Sequence, residues 1–260
     1  MIILRNRKLV PIILIVAIAG ILSGIFISFN YGNSEQTPYN DTPGFTPTPL
    51  ANPSTSLKPT PSASMAPTVK VLPYEINLEV PFTSQAPHKN WSLPYKEFCE
   101  EASVFMAISY VKGMSIPDAD YADARLNEIK DFEESHFGYY EDTTAAETAE
   151  IIEDYYGFTK VKLIYNPSVS DIKTALADKK LVIIPAAGRQ LANPNFTPPG
   201  PIYHMLVIKG YTKDGKFITN DPGTRLGADY IYNADILMNA MHDWNGGDVE
   251  NGQKVVIIVG

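Results

Sequence analysis

The pattern of apolar and polar residues divides the 260-residue chain into three parts. Residues 9–29 form an uncharged apolar run of about 21 residues, which as a helix would cross a bilayer core of roughly 30 Å. Residues 31–73 are dense in Pro, Thr and Ser and show no apolar period, so they cannot bury enough surface to fold. We therefore predict a basic arm and transmembrane anchor over residues 1–30, a disordered linker over 31–73 and one folded domain over 74–260.

Helical spacing dominates the first half of the predicted domain. Apolar residues recur at i, i+3, i+4 and i+7 between Cys99 and Val111. Thr144 and Glu147 have the spacing of a capping box, and Ser170 is the predicted cap of a shorter helix. The predicted helices cover residues 99–111, 118–132, 144–157, 170–177 and 234–244.

The second half of the domain is patterned mainly for β-strands. The predicted strands cover residues 181–185, 203–211, 216–220, 228–232 and 255–259, with earlier strands at 76–80 and 161–165. Asp214-Gly215 is typical of a two-residue hairpin loop. Because helices come first and hairpin-connected strands follow, the predicted fold class is α+β, with N-terminal helices packed on a mainly antiparallel sheet.

Charge places the domain on one side of a membrane. Arg5, Arg7 and Lys8 precede the apolar run and no comparable cluster follows it, which keeps the N-terminus in the cytoplasm and the domain outside. A cleaved signal peptide is the alternative, but its apolar core is usually about 7–15 residues and ends in a small-residue cleavage site. We expect a single-pass protein of the cell membrane with an extracytoplasmic domain, a layout that suits a bacterial envelope.

Charge and cysteine count also limit the partners of the domain. The whole chain carries −8 and the N-terminal arm +3, while the linker is neutral, so residues 74–260 carry −11. This acidity argues against nucleic acid or anionic lipid as a partner and favours a neutral or basic peptide. Cys99 is the single cysteine, which excludes an internal disulfide, and outside the cell it is either an intermolecular partner or a reactive thiol.

Cys99 lies where a loop rich in Pro, Asn and Ser becomes a helix. The first-turn amides and the positive end of the helix dipole would favour its thiolate form. Glu100 and Glu101 follow immediately, and their charges would oppose thiolate formation. The hypothesis is that Cys99 is a nucleophile, which requires a base and a group that orients the base.

His204 and Asp221 are the candidates for these two roles. His204 opens an apolar strand, where an imidazole is either a satisfied core group or a catalytic base. A two-residue hairpin loop places Asp221 opposite position 206 or 208, on the same sheet face as His204 and within reach in the tighter register. Asn220 points to the other face and ranks below Asp221 as the orienting group. A turn-forming role is the plain alternative for Asp221, since Pro222-Gly223 follows it.

An acyl-transfer site also needs donors for the oxyanion. The backbone amide of Cys99 is one candidate and the side chain of Gln85 is a second, although loop glutamines are usually only solvated. A long loop over residues 189–201, just before His204, could line a substrate groove or have no role. No metal or other cofactor is expected, because the chain has no HExxH motif.

Four segments in this order resemble a known family: QAP, CEEASVFMA, GPIYHMLVIKGY and FITNDPGTR. They are similar to papain-like cysteine peptidases of the bacteriocin-processing (double-glycine leader) type, in particular its stand-alone C-39-like branch. The resemblance implies Cys99 as nucleophile, His204 as base, Asp221 as orienting acid and Gln85 as oxyanion-hole donor. Many members have Gly after the cysteine, where Glu100 stands here. The chain has no P-loop, so a transporter-coupled role does not carry over.

The sequence thus predicts a membrane-anchored extracytoplasmic cysteine peptidase that acts on a peptide or protein through an acyl-enzyme. Two alternatives stay open at this point. One is a cell-wall amidase or acyl transferase that uses the same three residues, and the other is a catalytically silent peptide-binding module. Neither the substrate nor the oligomeric state follows from the sequence.

Overall fold

The computed structural model describes residues 71–260, which lie in the second of two compact units, Ser64–Gly260. The anchor predicted over residues 1–30 and almost all of the linker predicted over 31–73 lie outside the described residues. Within 71–260, none of the helices combines the length and the apolar character that crossing a membrane requires.

One antiparallel sheet of seven strands organises the described residues. Its main path runs in the order β2-β7-β3-β4-β5-β6, and β1 pairs with β4. The strands are β1 (Ile76–Asn77), β2 (Val161–Tyr165), β3 (Leu181–Ala187), β4 (Tyr203–Tyr211), β5 (Phe217–Asn220), β6 (Tyr230–Tyr232) and β7 (Val255–Val259). All pairings are antiparallel, which confirms the predicted α+β class.

Helices cover both faces of this sheet. They are α1 (Cys99–Val111), α2 (Ala119–His136), α3 (Ala145–Glu150), α4 (Val169–Ala177) and α5 (Ala234–Ala240). α1, α2 and α3 pack on the face that carries Met205 and Val207, whereas α4 and α5 pack on the face that carries Leu206 and Ile208. Because both faces are covered, β3, β4 and β7 are buried throughout, which explains their continuous apolar sequences.

Reciprocal capping boxes set the start of α3 and α4. The predicted capping box of α3 is confirmed, since the Glu147 amide donates to Thr144 Oγ1 and the Thr144 amide donates to Glu147 Oε2. The prediction that Ser170 caps α4 is wrong. The cap is Ser168, whose hydroxyl accepts from the Asp171 amide while Asp171 accepts from the Ser168 amide. The reciprocal pair satisfies two backbone donors, which a serine inside the first turn cannot do.

Helix α1 has the predicted bounds but not the predicted one-sided apolar face. Every residue from Cys99 to Ser109 is buried, including Glu100 and Glu101. The helix lies against β4 and β3 on one side and against α2 on another, so no side of it faces solvent in this stretch. Several other elements are shorter than predicted: β1 stops at Asn77, β6 starts at Tyr230 and α5 stops at Ala240.

The β4–β5 hairpin fixes the register of the site. The predicted two-residue loop is wrong, because Thr212 pairs with Lys216 across a three-residue turn. An irregularity between Ile208 and Gly210 then shifts the register, so that Val207 lies opposite Asn220. Asp221, the next residue, therefore follows the tighter of the two predicted registers, the one that places it opposite position 206. Gly210 is required at the irregularity, since a Cβ there would lie 2.1 Å from the carbonyl oxygen of Ile76.

Candidate active site

Cys99 is the first residue of α1, and its side chain lies against the start of β4. The thiol is 5% exposed and donates a hydrogen bond to Glu100 Oε2 at 3.0 Å. Burial raises the pKa of Cys99 well above its ordinary value, and negative charge on Glu100 or Glu101, when either is ionised, acts in the same direction. A hydrogen bond from the Met205 backbone amide lowers that pKa in part. The sulfur thus needs a further stabilising group before it can be a thiolate.

His204 and Asp221 form a buried hydrogen-bonded pair. His204 Nε2 lies 2.8 Å from Asp221 Oδ1, and the two side chains are 2% and 0% exposed. The Phe196 ring packs edge-on against the imidazole at 5.2 Å between centroids. Because Nε2 is bound to Asp221, Nδ1 is the ring nitrogen left to exchange a proton with a reacting group.

The Asp221 carboxylate is held by four donors, two on each oxygen. Oδ1 accepts from His204 and from the Gly223 amide at 3.0 Å, while Oδ2 accepts from Asn193 at 3.0 Å and from the Tyr232 hydroxyl at 2.6 Å. Burial alone would raise the pKa of Asp221. The charge that His204 carries when it is protonated, together with these hydrogen bonds, outweighs burial and lowers the pKa of Asp221 below its ordinary value. The group therefore stays ionised.

Asn193 and Tyr232 are the residues that sequence reasoning missed as partners of Asp221. The sequence places Asn193 only in the long loop that could line a groove, but the side chain is buried and bonded to the Asp221 carboxylate. They lie 28 and 11 residues from Asp221, respectively, and no local motif connects them to it. Only the folded chain brings these donors together.

Asn220 has a different environment from Asp221, as its position in the strand predicts. Its side-chain amide donates to the carbonyl oxygens of Val80 and Pro81, at 3.2 and 3.3 Å, and its Oδ1 accepts from the Asp229 amide. These bonds fasten the segment that enters the domain to the end of β5. Asn220 thus binds the backbone of the entering segment on the opposite sheet face, while Asp221 is bonded to His204.

Gln85 lines the same cavity as Cys99, but its side chain is bonded to backbone carbonyl oxygens. Its Nε2 donates to the carbonyl oxygens of Tyr95 and Lys96, at 3.0 and 2.9 Å. Its backbone amide donates to the carbonyl oxygen of Pro222. Both side-chain hydrogens are used in this conformation. Gln85 therefore links the turn that precedes Cys99 to the loop that follows β5.

Cys99, His204 and Gln85 line one open cavity of about 700 Å³. The other lining residues are Trp91, Lys96, Glu97, Asp142, Asn195, Phe196, Thr197, Pro201, Ile202, Tyr203, Gly223, Thr224, Arg225, Leu226 and Trp244. The loop over residues 189–201 supplies part of this wall, as the sequence suggested. The size and the mixture of aromatic, aliphatic and charged walls suit a peptide segment. In residues 71–260 no group of three or more His, Cys, Asp or Glu side chains is arranged to hold a metal ion.

Comparison with protein families identifies the class of protein. The model of the Peptidase_C39 like family matches residues 77–246, which is more than half of the chain. The chain therefore belongs to this family and is a papain-like cysteine peptidase, as its sequence motifs predict. A peptide or protein is accordingly its class of substrate.

Two solved structures are similar to the chain at low identity. One is described as a C39-like peptidase from Bacillus anthracis, with 18% identity, a TM-score of 0.47, and coverage of 72% of this chain and 98% of that chain. The other is a fragment of prointerpain A from Prevotella intermedia, with 14% identity, a TM-score of 0.44 and coverage of 72% of each chain. None of the curated proteins matches the chain.

Proposed function

We propose that this protein is a membrane-anchored, extracytoplasmic cysteine peptidase that uses Cys99, His204 and Asp221. The observation that supports this assignment best is the 2.8 Å pair of His204 and Asp221, since its imidazole lines the same cavity as the Cys99 sulfur. A nucleophile, a base and an orienting carboxylate on one cavity are the set that covalent peptide hydrolysis needs.

The proposed reaction begins with transfer of the thiol proton to His204 Nδ1. Asp221 holds the ring by Nε2 and stabilises the imidazolium that forms. The sulfur then attacks the carbonyl carbon of the peptide bond, and the C–N bond breaks as His204 returns the proton to the leaving amine. Water attacks the resulting thioester, gives a proton to His204 and releases the acid, after which the proton returns to Cys99.

The oxyanion requires donors at the start of α1. The backbone amide of Cys99 is one candidate, at the positive end of a helix of 13 residues. Gln85 is the second candidate, and it would have to exchange one of its two bonds, to Tyr95 or Lys96, for the oxyanion. A Gln85→Ala variant would lose both the donor and the link to the turn before Cys99.

The membrane location rests on the sequence of the N-terminal part. The apolar run over residues 9–29 and the preceding Arg5, Arg7 and Lys8 support an anchor with its N-terminus in the cytoplasm. The Pro, Thr and Ser content of residues 31–73 supports a tether between the anchor and the peptidase domain. The full chain should accordingly fractionate with membranes.

Hydrolysis of peptide bonds tests the assignment directly. The full-length protein in detergent micelles should cleave an unfolded protein substrate such as casein, with new amino termini as the readout. The Cys99→Ala and His204→Ala variants should each reduce the rate by at least about a hundredfold. Binding of peptides without any cleavage by the native chain would instead support a catalytically silent module.

A further inference from the structure

Glu100 makes direct contact with the sulfur of the proposed nucleophile. Its Oε2 lies 3.0 Å from Cys99 Sγ, and the residue is 1% exposed. An ionised carboxylate at this distance in a dry site would strongly disfavour the thiolate that the reaction requires. The contact can therefore assist the reaction only when Glu100 is protonated and neutral.

The surroundings of Glu100 favour its neutral form. Glu101 on α1 and Glu133 on α2 are both fully buried and interact with each other. Their four carboxyl oxygens and Glu100 Oε1 have no hydrogen-bond donor from elsewhere in residues 71–260. None of the ion pairs within residues 71–260 involves these three side chains. An unpaired buried charge costs far more than protonation of the group, so the carboxyls retain protons.

We propose that Glu100 is a catalytic residue that acts as a neutral carboxylic acid and donates its O–H hydrogen to the Cys99 thiolate. This inference rests on the proposed function of Cys99 as nucleophile. It removes the conflict between the helix terminus, which favours the thiolate, and the acidic residue that follows the cysteine. A charge-assisted hydrogen bond of this kind is stronger than one between neutral groups.

The proton balance of this step is simple. The thiol hydrogen leaves its contact with Glu100 and moves to His204 Nδ1, which leaves a thiolate and an imidazolium. Glu100 keeps its own proton and changes from acceptor to donor along the same sulfur–oxygen contact. When the thioester forms, the sulfur loses its charge and the hydrogen bond weakens. Glu100 thus stabilises the thiolate without gaining or losing a proton in the cycle.

Burial, together with the acidic groups nearby, keeps the proton on Glu100 at neutral pH. The ionisable groups that interact with it are Cys99, Glu101, Glu97, Asp142, Glu133 and Tyr203. His204 lines the cavity that Cys99 also lines. The pKa of Glu100 is raised to about 8, mainly by burial. The hydrogen bond to Cys99 lowers it in part, and the charges of Asp142 and Glu97 raise it.

Two substitutions of similar size separate the neutral donor from the alternatives. Glu100→Gln keeps a neutral donor beside the sulfur, whereas Glu100→Met fills the same space and cannot donate. The readout is the pH at which iodoacetamide begins to alkylate the single cysteine of the full-length protein in detergent micelles. Thermal melting of each variant confirms that it is folded at the temperature of the assay.

The inference predicts a shift in the onset of labelling for one variant and none for the other. The onset for Glu100→Gln should stay within about half a pH unit of the native protein, whereas that for Glu100→Met should rise by about one unit, a tenfold loss of thiolate. If Glu100 is instead ionised and opposes the thiolate, both variants label at lower pH, which overturns the inference. Equal onsets for all three proteins also overturn it.

The same experiment distinguishes failure of the inference from failure of the proposed function. If His204→Ala labels like the native protein and both begin near the free-thiol pKa of about 8.5, Cys99 is not an activated nucleophile and both proposals fail. If His204→Ala shifts the onset upward while the two Glu100 variants do not differ from each other, only the role of Glu100 is overturned.

Discussion

At the scale of single residues, the environment of Asp221 explains how a charge can be buried next to His204, the proposed base. Four donors satisfy its two oxygens, and the pKa stays below its ordinary value although the side chain is fully buried. Removal of one donor would leave a buried anion undersolvated. Asn193 and Tyr232 therefore help to hold His204 in place, because they stabilise the Asp221 carboxylate that binds it.

Tyr232→Phe tests this support. The substitution removes the 2.6 Å hydrogen bond to Asp221 Oδ2 and should lower the free energy of unfolding by about 1.5–3 kcal/mol. Urea denaturation measures the change. Tyr230→Phe is the matched control, because Tyr230 packs beside Tyr232 in the same strand. Equal destabilisation by the two substitutions would show that the bond to Asp221 is not the cause.

Gly223 is a second residue on which the pair depends. A Cβ at this position would lie 2.7 Å from His204 Cε1 and 2.9 Å from Phe196 Cε1. The imidazole is held between Asp221 and Phe196, so the added methyl group of Gly223→Ala should displace the ring. The rate of peptide cleavage should then fall by at least about tenfold. The circular dichroism spectrum should stay that of the folded protein. Full activity in this variant would contradict the close packing described around His204.

At the scale of elements, the sequence predicted most helices and strands, because each is specified by its own apolar period and caps. It failed where an element depends on distant contacts. The burial of Glu100 and Glu101 follows from α2 and β4 packing around α1, and the register of β5 follows from an irregularity in β4. Neither is visible in the local pattern. Cys99, His204 and Asp221 were identifiable as a candidate set, whereas the bonds of Gln85 to Tyr95 and Lys96 were not.

The caps of α4 test the corrected start of that helix. Ser168→Ala should cost about 1 kcal/mol of stability, because it removes the hydroxyl that accepts from the Asp171 amide and donates to the Asp171 carboxylate. Ser170→Ala should change stability by less than about 0.5 kcal/mol, since Ser170 is exposed on the first turn. Chemical denaturation of both variants measures the difference. A larger loss at Ser170 would favour the start predicted from sequence.

At the scale of the whole molecule, three buried carboxyls make stability depend on pH in an unusual direction. Burial raises the pKa from 4.5 to about 8 for Glu100 and to about 9 for Glu133, and it raises that of Glu101 well above its ordinary value. Between about pH 4.5 and 9 the folded state therefore holds protons that the unfolded state releases. Stability should fall as the pH rises through this window.

The size of this effect can be measured by urea unfolding at several pH values. Each fully titrating group contributes a slope of at most about 1.4 kcal/mol per pH unit. Glu133→Gln should flatten the decline, because an amide needs no proton. Asp221 has the opposite sign, with a lowered pKa, and destabilises the fold as the pH falls below its ordinary value of 3.8. Stability that is constant or rises from pH 5 to 8 would contradict neutral carboxyls at this site.

The most direct test of the central claim is the alkylation rate of Cys99 in the full-length protein as a function of pH. An activated Cys99 and His204 pair predicts rapid labelling by iodoacetamide well below the free-thiol pKa of about 8.5, and a slower reaction in His204→Ala. Labelling that follows the titration of an ordinary thiol in both proteins would contradict the assignment of Cys99 as a peptidase nucleophile.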